Sequence, residues 1–154
     1  MKAITIHQPW ATMIALGEKR YETRGWRTKY RGPIAIHASK KDPFIILDTL
    51  QNDQEEYIRD YFRERCRYSN SYTINRLPKG AVIATAILKD CIKCIDTFTG
   101  GYELENGVYV YHPEYEYGDF APGRYAWELT AITSLSEPIP AKGQQGLWNW
   151  NGQV

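Results

Sequence analysis

Lys19, Glu22 and Arg24 are the residues of this chain whose types and spacing best suit chemistry. Read as a strand, the Arg20 to Arg24 stretch puts Arg20, Glu22 and Arg24 on one face and Tyr21 and Thr23 on the other, with Lys19 in the turn before it. A carboxylate accepts hydrogen bonds from base amino groups, and a guanidinium forks onto phosphate or a base edge. The competing reading is a surface ion-pair ladder worth well under ~1 kcal/mol. Between Glu18 and Lys41 eight lysines and arginines stand against two glutamates, a surplus of six in a chain whose net charge is +1. The positive charge is therefore concentrated in one stretch.

Aromatic residues make up 14% of the chain, five of them tryptophans. Trp10, Trp26, Trp148 and Trp150 are the rings that could stack on a base for ~1–3 kcal/mol. Trp10 falls at helical spacing with Met13 and Ile14 and reads as core, whereas Trp26 sits between Gly25 and Arg27 in a basic loop and is the better stacking candidate. Cys91-Ile92-Lys93-Cys94 has half of a zinc-ribbon spacing, but Cys66, His7, His37 and His112 are scattered without a second pair, so no metal or other cofactor is expected. His7 and His37 fall in expected strands, as core or rim histidines. The chain has no Gly-x-Ser-x-Gly, no Walker loop and no dinucleotide fingerprint, which removes the familiar catalytic engines.

The elements that must position these residues follow from pattern and punctuation. Lys2 to His7 alternates as a strand; Pro9 opens a short helix that Gly17 stops. Pro33 to Ala38 reads as a strand buried on both faces. An amphipathic helix is expected between Asp48 and Cys66, with Leu50, Tyr57, Ile58, Tyr61 and Phe62 on its inner stripe. Strands are expected over 80–88, 108–111 and 124–130, a loop over 97–107, and an irregular tail over 136–146. Short strands outnumber helices without regular crossovers, so the expected fold class is α+β, a small mixed β-barrel with peripheral helices.

At 154 residues and 43% hydrophobic, one domain spanning 1–154 is the expectation. No apolar run reaches the eighteen or so residues that span a bilayer, and the N-terminus has no secretory pattern, which points to the cytoplasm. Three cysteines, an odd count, fit free thiols. A net charge near zero argues against non-specific coating of nucleic acid and leaves room for a local patch.

Gln8-Pro9-Trp10-Ala11, the Gly17-x-Lys19-x-x-Glu22-x-Arg24-x-Trp26 run, Tyr30-Arg31-Gly32, Ile36-His37-Ala38-Ser39 and Gly123-Arg124-Tyr125-Ala126-Trp127-Glu128-Leu129 together resemble the ASCH domain, the activating-signal-cointegrator homology module of the PUA-like superfamily. The resemblance covers nearly the whole chain. It implies a small β-barrel ringed by helices and a positively charged cleft, lined by the Lys19-Glu22-Arg24 region, that takes RNA or another nucleic acid. Some small bacterial members of the superfamily hydrolyse acetylcytidine with a lysine, a threonine nucleophile three residues on and a distant glutamate; others are similar to ribonucleases. Here Glu22 stands where that threonine would be, and Thr23, one place off, turns to the opposite face of a strand.

The leading expectation is thus an RNA-binding module. Lys19 and Arg24 contact phosphate or a base edge, Glu22 accepts from a base or orients Lys19, Trp26 stacks and Arg27 adds charge; Gln144 and Trp148 form the opposite cleft wall. A hydrolase on a modified nucleoside or RNA, with Lys19 polarising the scissile group and Glu22 as base, is the alternative. A protein-binding adaptor built on the acidic 103–119 loop is the third. RNA, DNA and free nucleotide remain open as ligands, as does the oligomeric state.

Overall fold

The computed structural model describes residues 1–97 and 99–152, so the loop expected over 97–107 lies outside the described residues at Phe98, as do Gln153 and Val154 of the expected 1–154 domain. A mixed sheet organises the chain. Strand β1 (Lys2–Ile6) pairs in parallel with β3 (Gly32–Ala38) and antiparallel with β7 (Leu147–Asn149). On the far side of β3 lie β4 (Ala81–Ile95), then β6 (Tyr125–Pro140), then the edge strand β2 (Tyr21–Arg24). A two-residue strand, β5 (Glu103–Leu104), pairs with the end of β4.

The hydrogen-bonded order is β2-β6-β4-β3-β1-β7, and among the described residues β2 and β7 do not pair. The α+β class holds, but the expected ring of strands is not closed. Both long strands are broken by register shifts, at Val82/Ala84, Thr85/Ile87 and Leu88/Asp90 of β4. Such irregularities let one strand bend and serve both ends of a curved sheet.

Helix α1 (Trp10–Ala15) is held at its start by Gln8, whose side-chain oxygen accepts from the Thr12 amide while its nitrogen donates to Thr12 Oγ1 and the Pro78 carbonyl. Gln8 is fully buried, which explains why a polar residue precedes Pro9. Gly17, at φ +76°, turns the chain toward β2. The face of α1 bearing Ala11 and Ile14 packs on Ile4, Ile36 and Trp127 of the sheet. Its Met13 meets a second layer in which α2 (Pro43–Leu47) and α3 (Asn52–Cys66) bury Leu47, Ile58 and Phe62 against Tyr117. Each such side chain contributes about 1.5–3 kcal/mol by leaving water.

Edge strand β2 is capped rather than open. Glu114, buried in the turn Glu114–Tyr117, accepts the backbone N–H groups of Arg20 and Tyr21, both at 2.9 Å. Downstream of it, the Asp119 amide donates to Thr23 Oγ1.

Candidate nucleic-acid interface

The turn after α1 drives Lys19 inward, where it is 1% exposed. Its ammonium donates to the carbonyls of Tyr21 (2.6 Å) and Tyr117 (2.5 Å) and lies 3.5 Å from Glu22 Oε2. An ammonium has three donors, and these partners occupy all three directions. Burial lowers the Lys19 pKa, with Glu22 and Glu114 pulling against that fall. Lys19 thus ties β2 to the Glu114–Tyr117 turn.

Glu22 is also nearly buried and shares its charge with a second cation. Arg24 Nε lies 3.0 Å from Glu22 Oε1 as an ion pair without hydrogen-bond alignment, and Arg24 Nη2 donates to the Thr5 carbonyl at 2.8 Å. The row Lys19–Glu22–Arg24 therefore runs from the 114–117 turn to β1 as a charge-alternating wall.

Two clefts adjoin this row: Lys19 and Glu22 line one, and Thr5, whose carbonyl Arg24 holds, lines the other. The larger, about 820 Å³, is lined by Lys19 and Glu22 with Trp10, Asp53, Glu116 and Asp119. Its charged lining is one buried lysine against four carboxylates, so the cleft at the motif is acidic, contrary to the expected positive charge. The smaller, about 410 Å³, is lined by Thr5, His37, Ser39, Lys40, Lys142 and Gln144, with no carboxylate. Positive charge continues beyond it: Lys41 and Arg24 act on His7, whose pKa is lowered first by burial and then by these two cations. His7 Nδ1 in turn meets Ser39 Oγ at 2.7 Å.

The other residues singled out in the sequence are dispersed. Trp148 is buried, donates from Nε1 to Thr5 Oγ1 (3.2 Å) and sets its ring edge-on to His37. Gln144 is exposed and lines the basic cleft. Trp148 and Arg24 thus both reach Thr5, one through its side chain and one through its carbonyl. Trp26 is 39% exposed but lines neither cleft; its ring stands edge-on to Trp127 at 4.7 Å. Arg27 is exposed in the same loop.

Sequence reasoning passed over Lys40 and Lys142, the two cations of the basic cleft, and His37 as one of its walls. The signal available for them was Gly143. A Cβ there would fall 2.8 Å from His37 Nδ1 and 2.9 Å from Thr5 Oγ1, so only glycine lets the chain pass this close. Cys91 and Cys94 lie within β4 and are buried, and no group of three metal-ligating side chains occurs among the described residues.

An open mixed sheet with helices on its flank, a buried charge row and two clefts beside it define a small α+β module. The chain belongs to the ASCH domain family, whose model matches residues 4–138. It is 45% identical over 40 residues to activating signal cointegrator 1 of Homo sapiens and, to the same extent, of Mus musculus. That match covers 26% of this chain and only 7% of the length of those relatives. The fold is similar to the crystal structure of a mutant ASCH protein from Zymomonas mobilis, with a TM-score of 0.51 and 16% identity, covering 97% of this chain and 90% of that one. Among the described residues no helix is long and apolar enough to cross a membrane.

Proposed function

We propose that this ASCH domain binds single-stranded RNA along the basic cleft between β1, β3 and the 142–145 segment. The observation that carries the reading is the cleft's lining: two lysines, two glutamines, small hydroxyls and no carboxylate. Such a lining suits a backbone phosphate, and a positively charged groove can track a single strand with little sequence preference. The larger cleft, with four carboxylates, repels phosphate. In this reading the Lys19–Glu22–Arg24 row supports the cleft from behind and does not contact the ligand, because Lys19 is engaged by two carbonyls and Glu22, and Arg24 Nη2 by the carbonyl of Thr5, a residue that lines the cleft. The same reading takes residues 1–154 as one PUA-like module and assigns it to the cytoplasm, a compartment in which the free thiols of Cys66, Cys91 and Cys94 are at home.

Titration of a labelled single-stranded RNA against wild type and a Lys40→Ala/Lys142→Ala double variant tests the assignment. Wild type should show salt-dependent binding, and the double variant should bind more weakly, with its salt slope shallower by roughly 1.4 for two lost phosphate contacts. Equal affinity and equal slope in the two proteins would remove the basic cleft as the site.

A further inference from the structure

His37 holds a buried acceptor with nothing to accept. The residue is 1% exposed, and its Nε2 lies 3.1 Å from the Ala141 carbonyl. A carbonyl can only accept, so Nε2 carries the proton and Nδ1 is left with a lone pair. Nδ1 is buried with no hydrogen-bond partner, an arrangement that native interiors rarely leave unused. Burial lowers the pKa of this histidine; the Ala141 carbonyl pulls against that fall and Lys40 adds to it.

The ring lies in the wall of the basic cleft, between the side chains of Thr5 and Lys40 and the segment carrying Lys142. Gly143 passes directly over Nδ1. Among the described residues, 142–146 make no backbone–backbone hydrogen bond, so this cover is held by neither ladder nor turn. Two ammonium groups, a neutral acceptor and a loosely held cover occur together nowhere else among the described clefts. An anion beside a hydroxyl donor would satisfy all three, and phosphate next to a ribose 2′-OH is such a pair.

We propose that His37 Nδ1 accepts a hydrogen bond from a ribose 2′-OH whose neighbouring phosphate lies between Lys40 and Lys142, with the 142–145 segment yielding to admit it, so that the domain selects RNA over DNA. The proposal rests on the nucleic-acid reading above and narrows it. The 2′-OH is the one group by which a protein tells the two polymers apart at a given sugar.

The test compares one sequence made as RNA, as 2′-fluoro RNA and as DNA. The 2′-fluoro strand keeps the RNA-like sugar but has no 2′ donor, so it separates hydrogen bonding from shape. Wild type should bind RNA about tenfold more tightly than either analogue, the factor that one net hydrogen bond of about 1.4 kcal/mol supplies. His37→Phe, which keeps an aromatic ring against Trp148, should bind all three strands alike, with circular dichroism confirming its fold. Equal binding of RNA and 2′-fluoro RNA by wild type overturns the 2′-OH assignment alone and leaves RNA binding standing. So does a preference that persists in His37→Phe. Failure of wild type to bind any of the three strands overturns both readings.

Discussion

Replacing Glu22 by glutamine strands two cations at once. In wild type one carboxylate lies 3.5 Å from the buried Lys19 ammonium and 3.0 Å from Arg24 Nε. At an effective dielectric of about 20 these separations correspond to roughly 5 kcal/mol of gross attraction each, most of it offset by the cost of taking the charges out of water. The net loss on removing one partner of such a buried pair is about 3–5 kcal/mol. In a domain of this size each kcal/mol moves the melting temperature by roughly 2–4 °C, so Glu22→Gln should melt roughly 6–20 °C below wild type at pH 7 by circular dichroism. The deficit should also shrink as pH rises. Without Glu22 the Lys19 pKa falls further below its ordinary 10.5, because burial is then opposed only by Glu114. Between that lowered value and 10.5 the unfolded chain binds more protons than the folded one, so the variant gains stability with pH in that window. A melting shift under about 2 °C, or a deficit that grows with pH, would refute the account of Lys19 as a charged, Glu22-compensated tie.

Glu114→Ala should cost about 1–3 kcal/mol for each of the two backbone donors it frees, read as a drop in melting temperature; a neutral result would show that water replaces the carboxylate. Trp148→Phe keeps the ring against His37 but loses the 3.2 Å bond to Thr5, so a loss of about 0.5–1.5 kcal/mol is expected, and a shift beyond roughly 6 °C would mean that the indole does more. Burial pushes the Cys94 thiol up to about 11 and raises that of Cys91, whereas Cys66 is half-exposed. A thiol-specific reagent on the native protein should therefore label Cys66 first, and simultaneous labelling of all three would contradict the packing of β4.

The elements with strong period or punctuation were legible in the residues themselves. β1, α1, β2 and β3 fall within a residue or two of their expected bounds, because Pro9, Gly17 and the alternation around Glu22 are local signals. Local pattern failed where neighbours decide. β4 runs on to Ile95 and β6 to Pro140, well beyond the expected 80–88 and 124–130, because each has the other as a continuous partner and bulges absorb the mismatched residues. The expected strand over 108–111 reduces to an isolated bridge between Tyr109 and Glu103, since β5, its partner among the described residues, is two residues long. Helix α2 was missed although Asp42 accepts from the Phe44 amide and Pro43 occupies the first turn; five residues are too few to show a period. At the site, a lysine in a turn reads as solvent-exposed by local rules, and one of the partners that hold it inward, the Tyr117 carbonyl, lies 98 residues away. The basic cleft was harder still to read, since Lys40 and Lys142 are brought together only by the sheet.

The Glu114 carboxylate on β2 also bears on how molecules of this protein meet one another. An uncovered sheet edge is a template on which a second chain can add its own strand, and repeated addition ends in aggregates. Here the amides of Arg20 and Tyr21 at the start of that edge are already taken by a charged side chain, and the Thr23 side chain beside it accepts from the Asp119 amide, which brings the 114–119 segment over the edge. An incoming strand would have to displace a buried anion to pair with the start of that edge. The loop that fastens Lys19 thus doubles as a guard on colloidal behaviour, and its removal in Glu114→Ala should show in light scattering on warming as well as in the melting curve.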